Sequence, residues 1–74
     1  GDEQRRLIES MNFDAIVFSS SMMVESFFEL ARRMNKLEHV VGNLKKKVVI
    51  AIGPPTRRTL ERYGIDALIP DEYT

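Results

Sequence analysis

Apolar residues fall along this chain in two alternating rhythms. Leu7, Ile8 and Met11 recur at helical spacing among Asp2, Glu3, Arg5, Arg6 and Glu9. That pattern predicts a helix over residues 2–11, with Asp2 suited to its N-cap and Asn12 to its stop. Ala15-Ile16-Val17-Phe18, led by Asp14, is continuously apolar. A run without polar alternation predicts a strand covered on both faces, as in a parallel sheet. Ser19-Ser20-Ser21 breaks it. Residues 22–37 then carry Met23, Val24, Phe27, Phe28, Leu30, Ala31, Met34 and Leu37 as one wide helical stripe. Glu25, Glu29, Arg32, Arg33 and Lys36 occupy the remaining surface. Any of the three serines suits the N-cap of this helix.

Between Glu38 and Lys47 the pattern weakens. Val40, Val41 and Leu44 fit a short turn of helix or a packed loop, and Gly42-Asn43 is a turn signal. Val48-Val49-Ile50-Ala51-Ile52 is a second strand, again apolar on both faces. Gly53-Pro54-Pro55-Thr56 ends it and opens a helix reaching about Tyr63. Pro54 fits the first helical position and Gly64 the residue just past the helix end. Ile65 to Ile69 reads as a short third strand closed by Pro70. This order predicts an α/β fold, a parallel sheet flanked by helices with right-handed crossovers. Three strands with apolar edges make an incomplete sheet. Residues 1–74 therefore read as one partial α/β domain, without internal boundary, of a larger doubly wound domain. In isolation such a piece is expected to self-associate or to be only marginally folded.

Composition narrows the function. The 74 residues hold eleven Lys plus Arg and eleven Asp plus Glu, a formal net charge of zero. Nucleic-acid and anionic-membrane binders need a basic excess, so neither partner is expected. With no cysteine and one histidine, His39, neither a disulfide framework nor a thiolate or histidine-rich metal site is expected. No apolar run approaches the ~20 residues of a membrane span, and no signal-peptide pattern opens the chain. The expectation is a soluble cytoplasmic domain, or a piece of one.

Ligands of open parallel sheets bind beyond the carboxyl ends of the strands. Two loops fall there: Ser19-Ser20-Ser21 and Gly53-Pro54-Pro55-Thr56. Each precedes a helix start, where backbone N–H groups and the helix dipole attract anions. Ser19, Ser20, Ser21, Gly53, Pro54 and Thr56 are thus candidate binding residues for a carboxylated or phosphorylated ligand. The plain alternative is that the hydroxyls are helix caps and Gly-Pro a turn. Neither loop matches a Walker A sequence or G-x-G-x-x-G. Arg57 and Arg58 oppose the dipole of their helix, which an anionic ligand, a neighbouring carboxylate or simple solvation would relieve. Lys45-Lys46-Lys47 reads as a solvated approach to the second strand, His39 as a surface or loop residue. Tyr63 and Tyr73 are poor acids without tuning. No residue is singled out as a catalytic acid or base.

The placed motifs resemble those of uroporphyrinogen-III synthases. Phe13-Asp14-Ala15-Ile16-Val17-Phe18-Ser19-Ser20 resembles the family's "DAVVFTSPSAV" segment. Val49-Ile50-Ala51-Ile52-Gly53-Pro54-Pro55-Thr56, with Leu60, resembles "VAAIGPVTAEAL", and the stretch from Gly64 to Thr74 resembles "GIEADVVPEEYT". The resemblance spans nearly the whole chain from Phe13 and corresponds to roughly the last third of a family member. It implies two α/β domains with the active site in the cleft between them, the partner domain lying outside this chain. It implies cyclisation of hydroxymethylbilane to uroporphyrinogen III, with inversion of the last pyrrole ring, loss of water and no cofactor. The substrate is a carboxylate-rich linear tetrapyrrole, which the family holds largely through main-chain amides. By resemblance Ser19 and Ser20 match the family's Thr-Ser, and Gly53, Pro54 and Thr56 its Gly-Pro-x-Thr. Ser21 stands where the family has proline, and Met22 where it has a second serine. A non-catalytic binding or regulatory module of the same architecture, or a flavodoxin-like or receiver half-domain, is the alternative. Asp14 lies at the wrong end of its strand for a receiver.

Overall fold

The structure, a computed structural model, describes residues 2–70. Six elements follow one another: α1 (Asp2–Ser10), β1 (Ala15–Phe18), α2 (Ser21–Arg33), α3 (Leu37–Leu44), β2 (Val48–Ala51) and α4 (Pro54–Glu61). β1 and β2 pair in parallel, Ala15 beside Val48 through Phe18 beside Ala51. The fold is α/β, as the alternation predicts.

Three boundaries move, each for a local reason. Met11, expected inside α1, takes a left-handed φ of 49° and ends the helix while its side chain is buried. Asn35 does the same for α2 at φ 61°, and the amide of Lys36 reaches back to the carbonyl of Ala31 at 2.8 Å. This six-to-one closure reverses the chain and divides the apolar stripe, so that Leu37 begins α3. The helix of α3 runs through the Gly42-Asn43 turn signal. Val40 and Leu44 are buried one turn apart, and Asn43 Nδ2 donates to the carbonyl of His39 at 2.8 Å. Core burial here outweighs the ~1 kcal/mol that glycine costs relative to alanine.

The third strand shrinks to one bridge. Leu68 accepts from the amide of Ala51 and donates to the carbonyl of Val49, both at 2.8 Å, and pairs in parallel with Ile50. β2 is therefore central, flanked by β1 and by Leu68. Lys47 is not simply solvated: its Nζ donates to the Phe13 carbonyl at 2.8 Å and lies 5.1 Å from the Phe13 ring centre. It ties the entry of β1 to that of β2.

α2 is the hub, touching β1, α1, α3 and α4. Its Val24, Phe27, Phe28 and Ala31 are buried with Ile8, Phe18, Val40, Leu44, Val49, Ala51, Leu60 and Ile65. Each large side chain so buried contributes about 1.5–3 kcal/mol. Phe18, Phe27 and Phe28 meet edge to face at 5.6 and 5.8 Å between centroids.

The sheet is covered on one side only. Phe18, Val49 and Ala51 are buried beneath the helices. On the alternate positions Val17 is 50% exposed, Val48 47% and Leu68 64%. The apolar strand sequences predict cover on both faces, and within residues 2–70 one of those faces is open.

Candidate functional site

Pairing of Phe18 with Ala51 brings the carboxyl ends of both strands to one level. The amide of Ile52 then donates to the carbonyl of Phe18 at 2.9 Å. The two candidate loops consequently leave the sheet side by side. Each turns directly into a helix.

At the first loop, Ser20 is extended (φ −156°, ψ 159°) and caps α2. Its Oγ accepts from the amide of Met23 at 3.1 Å, and its carbonyl accepts from the amide of Val24 at 3.3 Å. The capping role is real, yet it uses only acceptor capacity. The hydroxyl proton of Ser20 stays available for a ligand. Ser21 and Met22 are the first two residues of α2, and their amides have no intrahelical partner. Ser19 Oγ donates to Met23 Sδ at 2.8 Å. This loop thus offers two leading amides and the hydroxyls of Ser20 and Ser21 at the positive end of a 13-residue helix.

The second loop is built differently. Gly53 has φ 93° and ψ 150°, a conformation that side-chain-bearing residues rarely adopt. A Cβ there would meet only Pro55 Cδ, at 3.8 Å. Glycine is required by the backbone rather than by lack of space. Pro54 starts α4 as expected, but Pro54 and Pro55 together remove the first two amides of the helix. Thr56 is 3% exposed, so little of it lines the mouth of the loop. The second loop is a stiff, donor-poor wall beside the donor-rich first one.

The other candidates lie elsewhere. Arg57 Nε is 3.6 Å from Glu61 Oε2. That exposed carboxylate relieves the cation near the helix start, within the ~0–1 kcal/mol of surface pairs. Arg58 is exposed. His39 is on the surface of α3, and its Nδ1 is 3.4 Å from Asn43 Nδ2. Tyr63, beyond the far end of α4, stacks on Phe28. Tyr73 lies outside the described residues. An open hollow lined by Arg32, Asn35, Leu37, Glu38 and His39 sits at the other end of α2, ~18 Å along the helix from Ser21. Among the described residues, no three His, Cys, Asp or Glu side chains gather to hold a metal. None of the described helices is long and apolar enough to cross a membrane.

One feature of the rim does not follow from apolar spacing. Met23, expected within the stripe, is 44% exposed, and Met22 beside it on the first turn of α2 is 75% exposed. The signal for it in the sequence is Met22 itself, where the resembling family has serine.

A family model described as "Uroporphyrinogen-III synthase HemD" matches residues 1–74. The chain belongs to the uroporphyrinogen-III synthase family. It is similar, at 48% identity over 77 residues, to a protein of Archaeoglobus fulgidus named "Putative uroporphyrinogen-III synthase". That match covers 100% of the chain and 32% of the relative. A relative of the same name from Methanothermobacter thermautotrophicus is 43% identical over 61 residues, 82% of the chain and 23% of that protein. The chain thus spans a third or less of the curated relatives it matches. No solved structure matches it. Membership agrees with the α/β architecture and with the doubly wound, synthase-type domain that the motifs imply.

Proposed function

We propose that this chain supplies part of the substrate-binding surface of a uroporphyrinogen-III synthase, a cyclising hydro-lyase. The observation that carries the reading is the juxtaposition of two strand-end loops, hydrogen-bonded through Ile52 and Phe18, in a chain of this family. The substrate is hydroxymethylbilane. Its ring carboxylates are taken by the amides of Ser21 and Met22 and the hydroxyls of Ser20 and Ser21, while Ser19 bonds to Met23 Sδ. Gly53 and Pro54 form the opposing rim, with Thr56 behind it.

The chemistry needs position more than proton transfer. Departure of the terminal hydroxyl as water takes up a proton from solvent and leaves an azafulvene-like cation on the linear tetrapyrrole; the proton is returned when the inverted ring regains aromaticity. Attack by the substituted carbon of the last ring gives a spiro intermediate, which opens and recloses with that ring inverted. Atoms balance as substrate to product plus water, with no oxidant or cofactor. Fixed carboxylates hold the two ends of the chain within reach, and oriented N–H dipoles tolerate charge redistribution without reorganising. No side chain of the described residues is placed as a general acid or base.

The remaining length of the relatives is where the second wall of a cleft belongs. Residues 1–74 alone are therefore expected to be inactive. The test is porphyrin isomer analysis after oxidation, with the full-length protein and with this chain alone. Isomer III in excess from the full-length protein only is the expected result. Isomer III from the chain alone overturns the cleft argument. Its absence from the full-length protein favours a non-catalytic module. Within the full-length protein, Ser20→Gly retains most of the cap but removes the hydroxyl, and should raise KM with little loss of stability.

A further inference from the structure

We propose that Met23 is a site of reversible oxidation by peroxide, and that its sulfoxide displaces Ser19 from the place it holds at the end of β1. The two side chains are joined directly: Ser19 Oγ donates to Met23 Sδ at 2.8 Å. That bond fixes the thioether against the loop, outside the core, and Met23 is 44% exposed. Met11 is buried and Met34 half-buried, so neither matches it in access. Met22 exceeds it, and among the described residues no donor is bonded to the Met22 sulfur. Adjacent methionines thus differ in one respect that bears on their chemistry, the hydroxyl held on Met23.

The step is a two-electron oxidation. A sulfur lone pair attacks one oxygen of hydrogen peroxide, the O–O bond breaks, and an S–O bond forms. The other oxygen leaves as water after proton transfer, and a thiol-driven reductase reverses the change. The Ser19 proton sits on the electrons that make this attack, so it slows the reaction. Afterwards the acceptors are unequal, because a thioether accepts only weakly and the new oxygen accepts well. An O–H···O bond of about 2.7 Å to that oxygen, at an ordinary acceptor angle, carries Ser19 Oγ beyond its present 2.8 Å from sulfur. Ser19 must therefore shift, and it adjoins Ser20, the cap of α2. The first strand-end loop reads the oxidation state of Met23.

The experiment uses the full-length protein and dilute hydrogen peroxide, with fragment-ion mass spectrometry resolving Met22 from Met23. Met22 should oxidise faster than Met23. Ser19→Ala should speed oxidation of Met23 about threefold, the effect of one weak bond on a barrier, and leave Met22 unchanged. An unchanged Met23 rate in Ser19→Ala overturns the inference, and so does equal acceleration of both residues. In Met22→Leu protein, peroxide should speed hydrogen exchange of the amides at 19–24 severalfold, and methionine sulfoxide reductase should restore it. The Met22→Leu, Met23→Leu double variant should not respond. Oxidation of Met23 without faster exchange overturns the displacement of Ser19, and a Met23 that stays unoxidised while Met22 reacts overturns the whole inference.

Discussion

Phe28 of α2 and Tyr63 beyond α4 stack with ring centroids 4.1 Å apart and planes 8° from parallel. This contact joins the hub helix to the turn that ends α4, where Gly64 takes φ 76° and the amide of Ile65 reaches the carbonyl of Leu60 at 3.1 Å. Phe28→Ala should cost about 3–5 kcal/mol, enough to unfold a chain of this size. Tyr63→Phe should change the melting temperature little and leave full-length activity intact, because the ring and not the phenol makes the contact. Denaturant melts and the isomer assay read these outcomes.

Gly53 and Gly42 are expected to respond in opposite directions. At Gly53 a side chain strains the backbone by about 1–3 kcal/mol and disturbs the rim, so Gly53→Val should lower both stability and tetrapyrrole affinity. Gly42 lies within α3, and a Cβ added there would meet nothing within 4 Å. Gly42→Ala should therefore stabilise by about 0.5–1 kcal/mol. Paired melts of the two variants make the comparison.

The open sheet face should make the isolated chain self-associate. Sedimentation at several concentrations is expected to show a concentration-dependent mass, and Val17→Asp or Val48→Lys should shift it toward monomer. A wild-type chain that stays monomeric with a sharp, concentration-independent melt would count against this.

Acid should loosen the outer face of α2. Arg32 bonds Glu29 at 2.6 and 3.0 Å, and with Arg33 it holds the Glu29 carboxyl below its ordinary range. The folded state therefore binds this proton less readily than the unfolded state. The stabilisation is present above the unfolded value and is lost as pH falls through the folded one. Glu29→Gln should show a shallower fall in melting temperature across the carboxylate range, a small effect because the pair is exposed.

Much of this architecture was legible in the residue pattern. β1, β2 and the Gly53–Pro54 helix start follow from uninterrupted apolar runs and from proline's fit to a first helical turn. The break at Asn35 was not legible, since a left-handed residue leaves no mark on apolar spacing. Nor was α3, whose Gly42-Asn43 signal yields to burial of Val40 and Leu44. The third strand failed because β-like composition at Ile65 to Ile69 does not guarantee a ladder, and only Leu68 pairs. For the site, chain order alone placed both loops at the strand ends. The loss of two donors at Pro54 and Pro55 was equally legible, but the near-complete burial of Thr56 was not. That depends on which way the side chain turns.

The uncovered face of the sheet also bears on how this protein tolerates sequence change. Val17, Val48 and Leu68 look, by exposure alone, like sites free to drift. Their alternation with buried partners on the same strands says otherwise. In a saturation-mutagenesis library of the full-length protein, these positions should accept other aliphatic residues and reject charged ones, as interior sites do. Exposed residues off the sheet, such as Gln4 or Lys46, should accept both. The mutational spectrum would thus trace the outline of the neighbour that this face requires.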